Sequence, residues 1–199
     1  MNNRIKVLLD NGHGINTAGK RSPDGKLREY EWNRKTANAT LAILKSSGVD
    51  VELVVPEITD ISLSERCRRA NVIARTQGAS NVVYVSIHVN AAGNGHQWMN
   101  ARGWCVYVYN KPSVKSVMLA ETLFDNAIKK GFKIRRPEAL KKYWNANFAV
   151  LRETVCPAVL VEHFFMDNRE DCNYLLTDDS VRECSEVLAD GIIQYINNI

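Results

Sequence analysis

Ile5-Lys6-Val7-Leu8-Leu9-Asp10-Asn11-Gly12-His13-Gly14 is an apolar run that breaks into Asn-Gly and carries a histidine just past the break. A short apolar run closed by a turn dipeptide reads as a buried strand, here over Ile5 to Asp10. Similar runs recur along the chain. Val49 to Val55 is ended by Pro56, and Val82 to His88 is rich in β-branched residues. Gly103 to Tyr109 alternates through Trp104, Val106 and Val108, and Ala158 to Glu162 comes after Pro157 as a last buried strand.

Helical spacing fills the intervals. Residues 31–46 set Trp32, Ala39, Ile43 and Ala37, Leu41, Leu44 at helix period, with Gly48 as the stop. Ser62-Leu63-Ser64-Glu65 is a capping box, and the helix behind it runs to about Gly78 with Cys67, Ala70 and Ala74 on one face. Lys115 to Lys130 is amphipathic and stopped by Gly131. Residues 179–196 close the chain, with Val181, Cys184, Val187, Leu188, Ile192 and Ile196 inward. Strands alternating with helices predict an α/β fold, in which a mostly parallel twisted sheet carries helices on both faces. The expectation is one domain over 1–199 with no appended module. Two long loops, 14–28 and 91–102, are places to look for function.

Composition excludes several classes. The 199 residues are 45% hydrophobic and 24% charged, an ordinary globular balance. No run of 18 apolar residues is available to span a membrane. Met1 to Lys6 leads straight into the first strand with no cleavable leader in view, so synthesis in the cytosol is expected. Five scattered cysteines without a C-x-x-C pair point to buried, reduced thiols rather than a disulfide frame or a thiolate zinc cluster. A net charge of +4 would help approach to an anionic wall or membrane surface but does not imply nucleic acid. The clusters Arg66-Cys67-Arg68-Arg69 and Lys133-Ile134-Arg135-Arg136 read as solvated faces.

The polar residues at strand ends carry the chemistry. In parallel α/β sheets ligands bind beyond the carboxyl ends of the strands. Asp10 to Gly14, Ser86 to Asn90 and Val161 to His163 all end strands. Two of these residues, His13 and His88, are histidines. Two imidazoles and one carboxylate leave a fourth zinc position open, the pattern of a catalytic site. Glu29, at the entrance to the first long helix, and Glu31, about 200° further round it, are both within reach of supplying the carboxylate. Glu162 ends a strongly apolar strand; it is either a desolvated general base or a cap for the next segment. His96 sits in a Gly/Asn loop, and His163 should face away from Glu162.

Taken together these stretches resemble the zinc-dependent N-acetylmuramoyl-L-alanine amidases of the type-3 family, from Lys6 to about Tyr195. Val7 to Gly14 is similar to the family's strand ending in Asp-x-Gly-His-Gly. Glu29 with Asn33 and Thr36-Ala37 matches its glutamate at the start of the first helix. Leu63-x-x-Arg66 with Ala70-Asn71, Ser86-Ile87-His88-Val89-Asn90-Ala91, and Phe148 to Arg152 succeeded by Pro157 to Glu162 complete the ordered set, with Asn168 after it. Ile15 stands where a second glycine is common. His163-Phe164 replaces a small or apolar residue and a glycine, a change expected to touch the pocket wall.

The resemblance implies zinc held by His13, Glu29 and His88, with Glu162 as the base. The substrate would be the amide between N-acetylmuramic acid and L-alanine of peptidoglycan. It also implies Asp10 as an acceptor orienting His13, and Asn90 as a substrate or loop-shaping residue. The expected protein is a monomeric, wall-degrading enzyme with an open cleft, no nucleic-acid partner and no membrane insertion, acting on the wall after release or export. The alternatives are another zinc peptidase or deacetylase on a cell-wall amide, and a non-catalytic wall-binding protein on the same scaffold.

Overall fold

The computed structural model describes residues 5–199; the reading of Met1 to Arg4 as a leaderless start lies outside the described residues. Six strands form one sheet: β1 (Lys6–Asn11), β2 (Asp50–Leu53), β3 (Val82–Asn90), β4 (Cys105–Tyr109), β5 (Trp144–Ala146) and β6 (Ala158–Phe165), in the order β2-β1-β3-β6-β4-β5. Four neighbouring pairs are parallel and only β4–β6 is antiparallel, so the mostly parallel sheet is as expected. The exception has a simple cause. No helix lies between β3 and β4, so the chain turns at the edge where β3 ends and runs back.

Helices cover both faces. α1 (Glu29–Ser46), α3 (Val114–Lys129) and α6 (Asp178–Asn197) pack on one side, against Val7, Leu9, Val83, Val85, Ile87, Val159 and Val161. α2 (Leu63–Gln77) and the short α4 (Ala149–Arg152) pack on the other, against Leu8, Tyr84 and Leu160. α5 (Arg169–Leu175) comes after β6. The central strands bury both faces, which is why they read as continuous apolar runs. Each fully buried Val or Leu contributes roughly 1.5–3 kcal/mol to the core. Ser62 accepts from the Glu65 amide at 3.2 Å and starts α2 as its capping box requires. All five cysteines are free and buried. No helix among the described residues is long and apolar enough to cross a membrane.

The structure departs from the sequence pattern at several places. β2 is shorter than Val49 to Val55, and β6 runs on to Phe165. β5, α4 and α5 have no counterpart in the periodicity. They are three, four and seven residues long, too short to show a period. Arg66 is not on a solvated face. It is 2% exposed and spans the gap between β1 and the loop before α2.

Candidate active site

α2 and α4 cover the lower part of their sheet face and leave its upper part open. The side chains that line this opening share one face of three adjacent strands: Asp10 on β1, His88 on β3, Leu160 and Glu162 on β6. A cleft of about 430 Å³ lies above them, bordered by His13, Lys20, Arg66 and Phe148. Larger hollows elsewhere, including one of about 840 Å³ near the chain's C-terminus, contain none of these groups.

β1 delivers His13 through a tight turn. His13 has φ 65, a left-handed conformation uncommon for a residue with a side chain. Neighbouring bonds hold it there. The Gly12 amide donates to Ile87 O at 3.0 Å, the Gly14 amide to Thr17 Oγ1 at 2.9 Å, and Arg34 Nη1 to His13 O at 2.8 Å. Glycine at position 12 leaves room for the imidazole: a Cβ there would stand 2.2 Å from Cε1 of His88.

α1 delivers the carboxylate. No side chain caps its start; instead the Glu29 amide donates to Lys20 O at 3.0 Å, which ties the 14–28 loop to the helix. Glu29 is 1% exposed, and a carboxylate in the first turn suits the helix dipole. Its Oε1 lies 3.4 Å from His13 Nε2 and 3.1 Å from His88 Nδ1, and it accepts from the Val89 amide at 3.1 Å. Glu31 is exposed and accepts from Tyr30. Of the two carboxylates the sequence left open, Glu29 is the one beside the imidazoles.

These residues fit a metal. One ligand atom from each of His13, Glu29 and His88 falls within 4.8 Å of the others. Donors about 2.0–2.1 Å from a tetrahedral zinc stand roughly 3.3 Å apart, close to the two nitrogen–oxygen distances here. Glu29 Oε2 is buried without a hydrogen-bond partner, a polar atom that a cation would satisfy. The two imidazoles keep 18% and 17% of their side-chain surface exposed, so a fourth position can be reached from solvent.

The electrostatics separate the acids. Burial alone would raise the Glu29 carboxyl, but hydrogen bonds from His13 and His88 outweigh it and hold Glu29 far below the usual range. Burial lowers His88, and the bond and charge of Glu29 more than reverse this. Glu162 has no such partner. Burial pushes it up to about 8, with Glu29 adding to the rise and His88 and Lys20 opposing it, and its Oε2 is enclosed and unpaired.

The surrounding residues are arranged otherwise than the sequence suggested. Asp10 faces Arg66 and accepts from Ser86 Oγ at 2.6 Å, so its bonds go there rather than to His13. Arg66 also binds Asp60 at 2.6 Å, and Thr17 donates to Asp60 at 2.5 Å. This chain of bonds ties β1, the His13 loop and α2 together. Asn90 accepts from the Ala91 amide at 2.9 Å and shapes the loop after β3. His163 is fully buried on the opposite face beside Trp32 and Trp104, and burial, then His88, push it down to about 3. Phe164 packs on Phe132 and Tyr174 on that same face. The His163-Phe164 departure therefore lies behind the sheet and not on the pocket wall. Ile15 points to solvent. Lys20 carries no mark in the sequence, and Asp60 is there only one of several carboxylates near strand or loop ends, with Glu52 and Glu57, because nothing in its local context sets it apart.

Comparison with known proteins gives a consistent result. A sequence profile of the family described as N-acetylmuramoyl-L-alanine amidase matches residues 7–194. The endolysin of Bacillus phage SPP1 is 29% identical over 199 residues, covering 96% of this chain and 66% of that protein. The sporulation-specific N-acetylmuramoyl-L-alanine amidase of Bacillus subtilis is 29% identical, covering 97% of this chain and 69% of that protein. The chain thus spans about two thirds of the length of these curated relatives. Among solved structures, the N-acetylmuramoyl-L-alanine amidase from Clostridium difficile 630 superposes with a TM-score of 0.82 at 28% identity, covering 98% of both chains. The CwlV catalytic domain from Bacillus (Paenibacillus) polymyxa var. colistinus gives 0.80 at 27% identity, over 97% of this chain and 98% of that one.

Proposed function

Since the chain belongs to the N-acetylmuramoyl-L-alanine amidase family, we propose that it hydrolyses the amide between N-acetylmuramic acid and L-alanine of peptidoglycan, with zinc held by His13, Glu29 and His88 and Glu162 as general base. The observation that carries this reading is the meeting of two imidazole nitrogens on one buried carboxylate oxygen, at 3.1 and 3.4 Å, in the same cleft as an unpaired acid. Metal-assisted attack of water on an amide uses both parts.

Zinc at such a site supplies Lewis acidity, which polarises the scissile carbonyl and makes a water acidic near neutral pH. The protein's own residues do the rest. Glu29 stays ionised because hydrogen bonds from His13 and His88 outweigh its burial and hold its carboxyl below the usual range, which keeps its oxygens available as donors to a metal. Glu162 takes a proton from the attacking water on its carboxylate oxygen and passes it to the departing amine nitrogen. A carboxyl lifted towards neutrality suits both transfers. Asp10 and Asn90 support the site from outside, Asp10 through Arg66 and Asn90 through the loop after β3. Proposed as well are a single-domain monomer acting on the wall after release or export, with no nucleic-acid partner and no membrane insertion.

Mass analysis of muropeptides after digestion tests the reaction. Intact stem peptides with a free alanine amine are the expected products. Shortened stems would mean a peptidase, and deacetylated sugars a deacetylase.

A further inference from the structure

An aromatic cluster on β4 and β5 adjoins the cleft through Phe148. Phe148 borders the cleft and is 40% exposed. Tyr107 packs on Phe148 at 5.4 Å and on Trp144 at 6.2 Å. The Arg135 guanidinium lies 4.5 Å above the Trp144 ring and 5.6 Å from that of Phe165. Cys105 pairs with Glu162 across β4 and β6, and its neutral thiol is a polar neighbour of Arg135. The Tyr107 hydroxyl is within electrostatic reach of both Glu162 and Arg135. Arg135 therefore stands one strand away from the reacting acid.

Its position is built. The Trp104 amide donates to Lys133 O and the Arg135 amide to Trp104 O, both at 2.8 Å, and the Trp144 indole donates to Arg135 O at 3.1 Å. Backbone bonds on two sides and an aromatic seat fix the guanidinium before any ligand arrives. Two other half-buried arginines have carboxylates, Arg69 with Glu57 and Glu65 and Arg102 with Glu170 and Asp171, and a third, Arg34, is held by the backbone oxygens of His13 and Glu57. Arg135 has no ion pair among the described residues. A guanidinium seated over an aromatic face, with no carboxylate of its own, is an arrangement that binds a carboxylate.

We propose that Arg135, seated on Trp144 and Phe165, is a carboxylate-binding subsite that takes an acidic group of the substrate's peptide on the β4 side of Glu162. This assigns the peptide to the β4–β5 side of the cleft, and it rests on the amidase reading given above. Arg135 is a specificity residue here and takes no part in bond breaking.

The test compares two soluble muramyl peptides that differ only in whether their peptide carboxylates are free or converted to carboxamides. With the free acid, Arg135→Gln should raise KM about tenfold or more and leave kcat within about twofold. With the amidated peptide it should change neither. Arg135→Lys should recover part of the loss on the acid. Calorimetry with the released peptide acid should show the same weakening without any turnover. An equal loss on both peptides, or no loss on the acid, overturns the subsite. If the unaltered protein cuts neither peptide at the muramoyl amide, the amidase reading itself fails, and this result is distinguishable from the other two.

Discussion

His88 and Glu162 are register partners on the neighbouring parallel strands β3 and β6. Adjacent strands lie about 4.8 Å apart, so this pairing alone places the His88 imidazole and an unpaired acid side by side on one face of the sheet. Immediately beyond, the ladder slips. His88 and Asn90 are separated by one residue, whereas their partners Glu162 and Phe165 are separated by two. The extra residue makes β6 bulge, and Phe164 takes φ 65.

Glu162→Gln should keep its zinc and lose hydrolysis by about 10²–10⁴-fold, the range typical of a lost general base. Dye release from labelled wall, together with the metal content of the same sample, checks this. Wild-type turnover in the variant would remove Glu162 from the reaction.

The raised Glu162 carboxyl has a consequence for stability in metal-free protein. Its proton is held more tightly in the folded chain, at about 8, than in the unfolded one, at 4.5. The contribution is therefore complete below about 4.5 and is lost as pH rises towards about 8. Melting after chelation should show the wild type losing stability relative to Glu162→Gln across that window. Parallel curves for the two proteins would contradict the raised value.

Arg66→Met should be severely destabilising. It leaves Asp10, 1% exposed, without its counter-charge, and removes the ion pair of Asp60. Breaking a buried pair in this way costs about 3–5 kcal/mol. Urea denaturation reads the loss, and a change below about 1 kcal/mol would mean the bridge is solvated.

Phe164 offers a reversed glycine effect. Phe164→Ala loses the packing on Phe132 and Tyr174 but keeps the strained left-handed backbone, whereas Phe164→Gly loses the same packing and relieves the strain. The glycine variant should be the more stable of the two by about 1 kcal/mol. The alanine variant being more stable, as at ordinary strand positions, would argue against the conformation.

Much of this fold and site is legible in the sequence. The four long strands and four long helices each carry enough residues to show a period. The site residues at strand ends come from the rule that ligands bind there. Glu29 could not be separated from Glu31 by periodicity, because which of the two turns inward depends on where α1 meets the 14–28 loop. Arg66 was hidden for a related reason. Beside Arg68 and Arg69 it looks like one more surface charge, and only the depth of the Asp10–Asp60 gap makes it a core residue. The bulge after Glu162, which sends Phe164 to the same far face as His163, leaves no mark in local composition.

Elemental analysis of purified protein beside His13→Ala and His88→Ala, with circular dichroism to establish folding, tests the central claim most directly. Stoichiometric zinc in the wild type and little in either folded variant is the predicted result. Full hydrolysis by wild type stripped of metal, or undiminished zinc in the variants, would contradict the account.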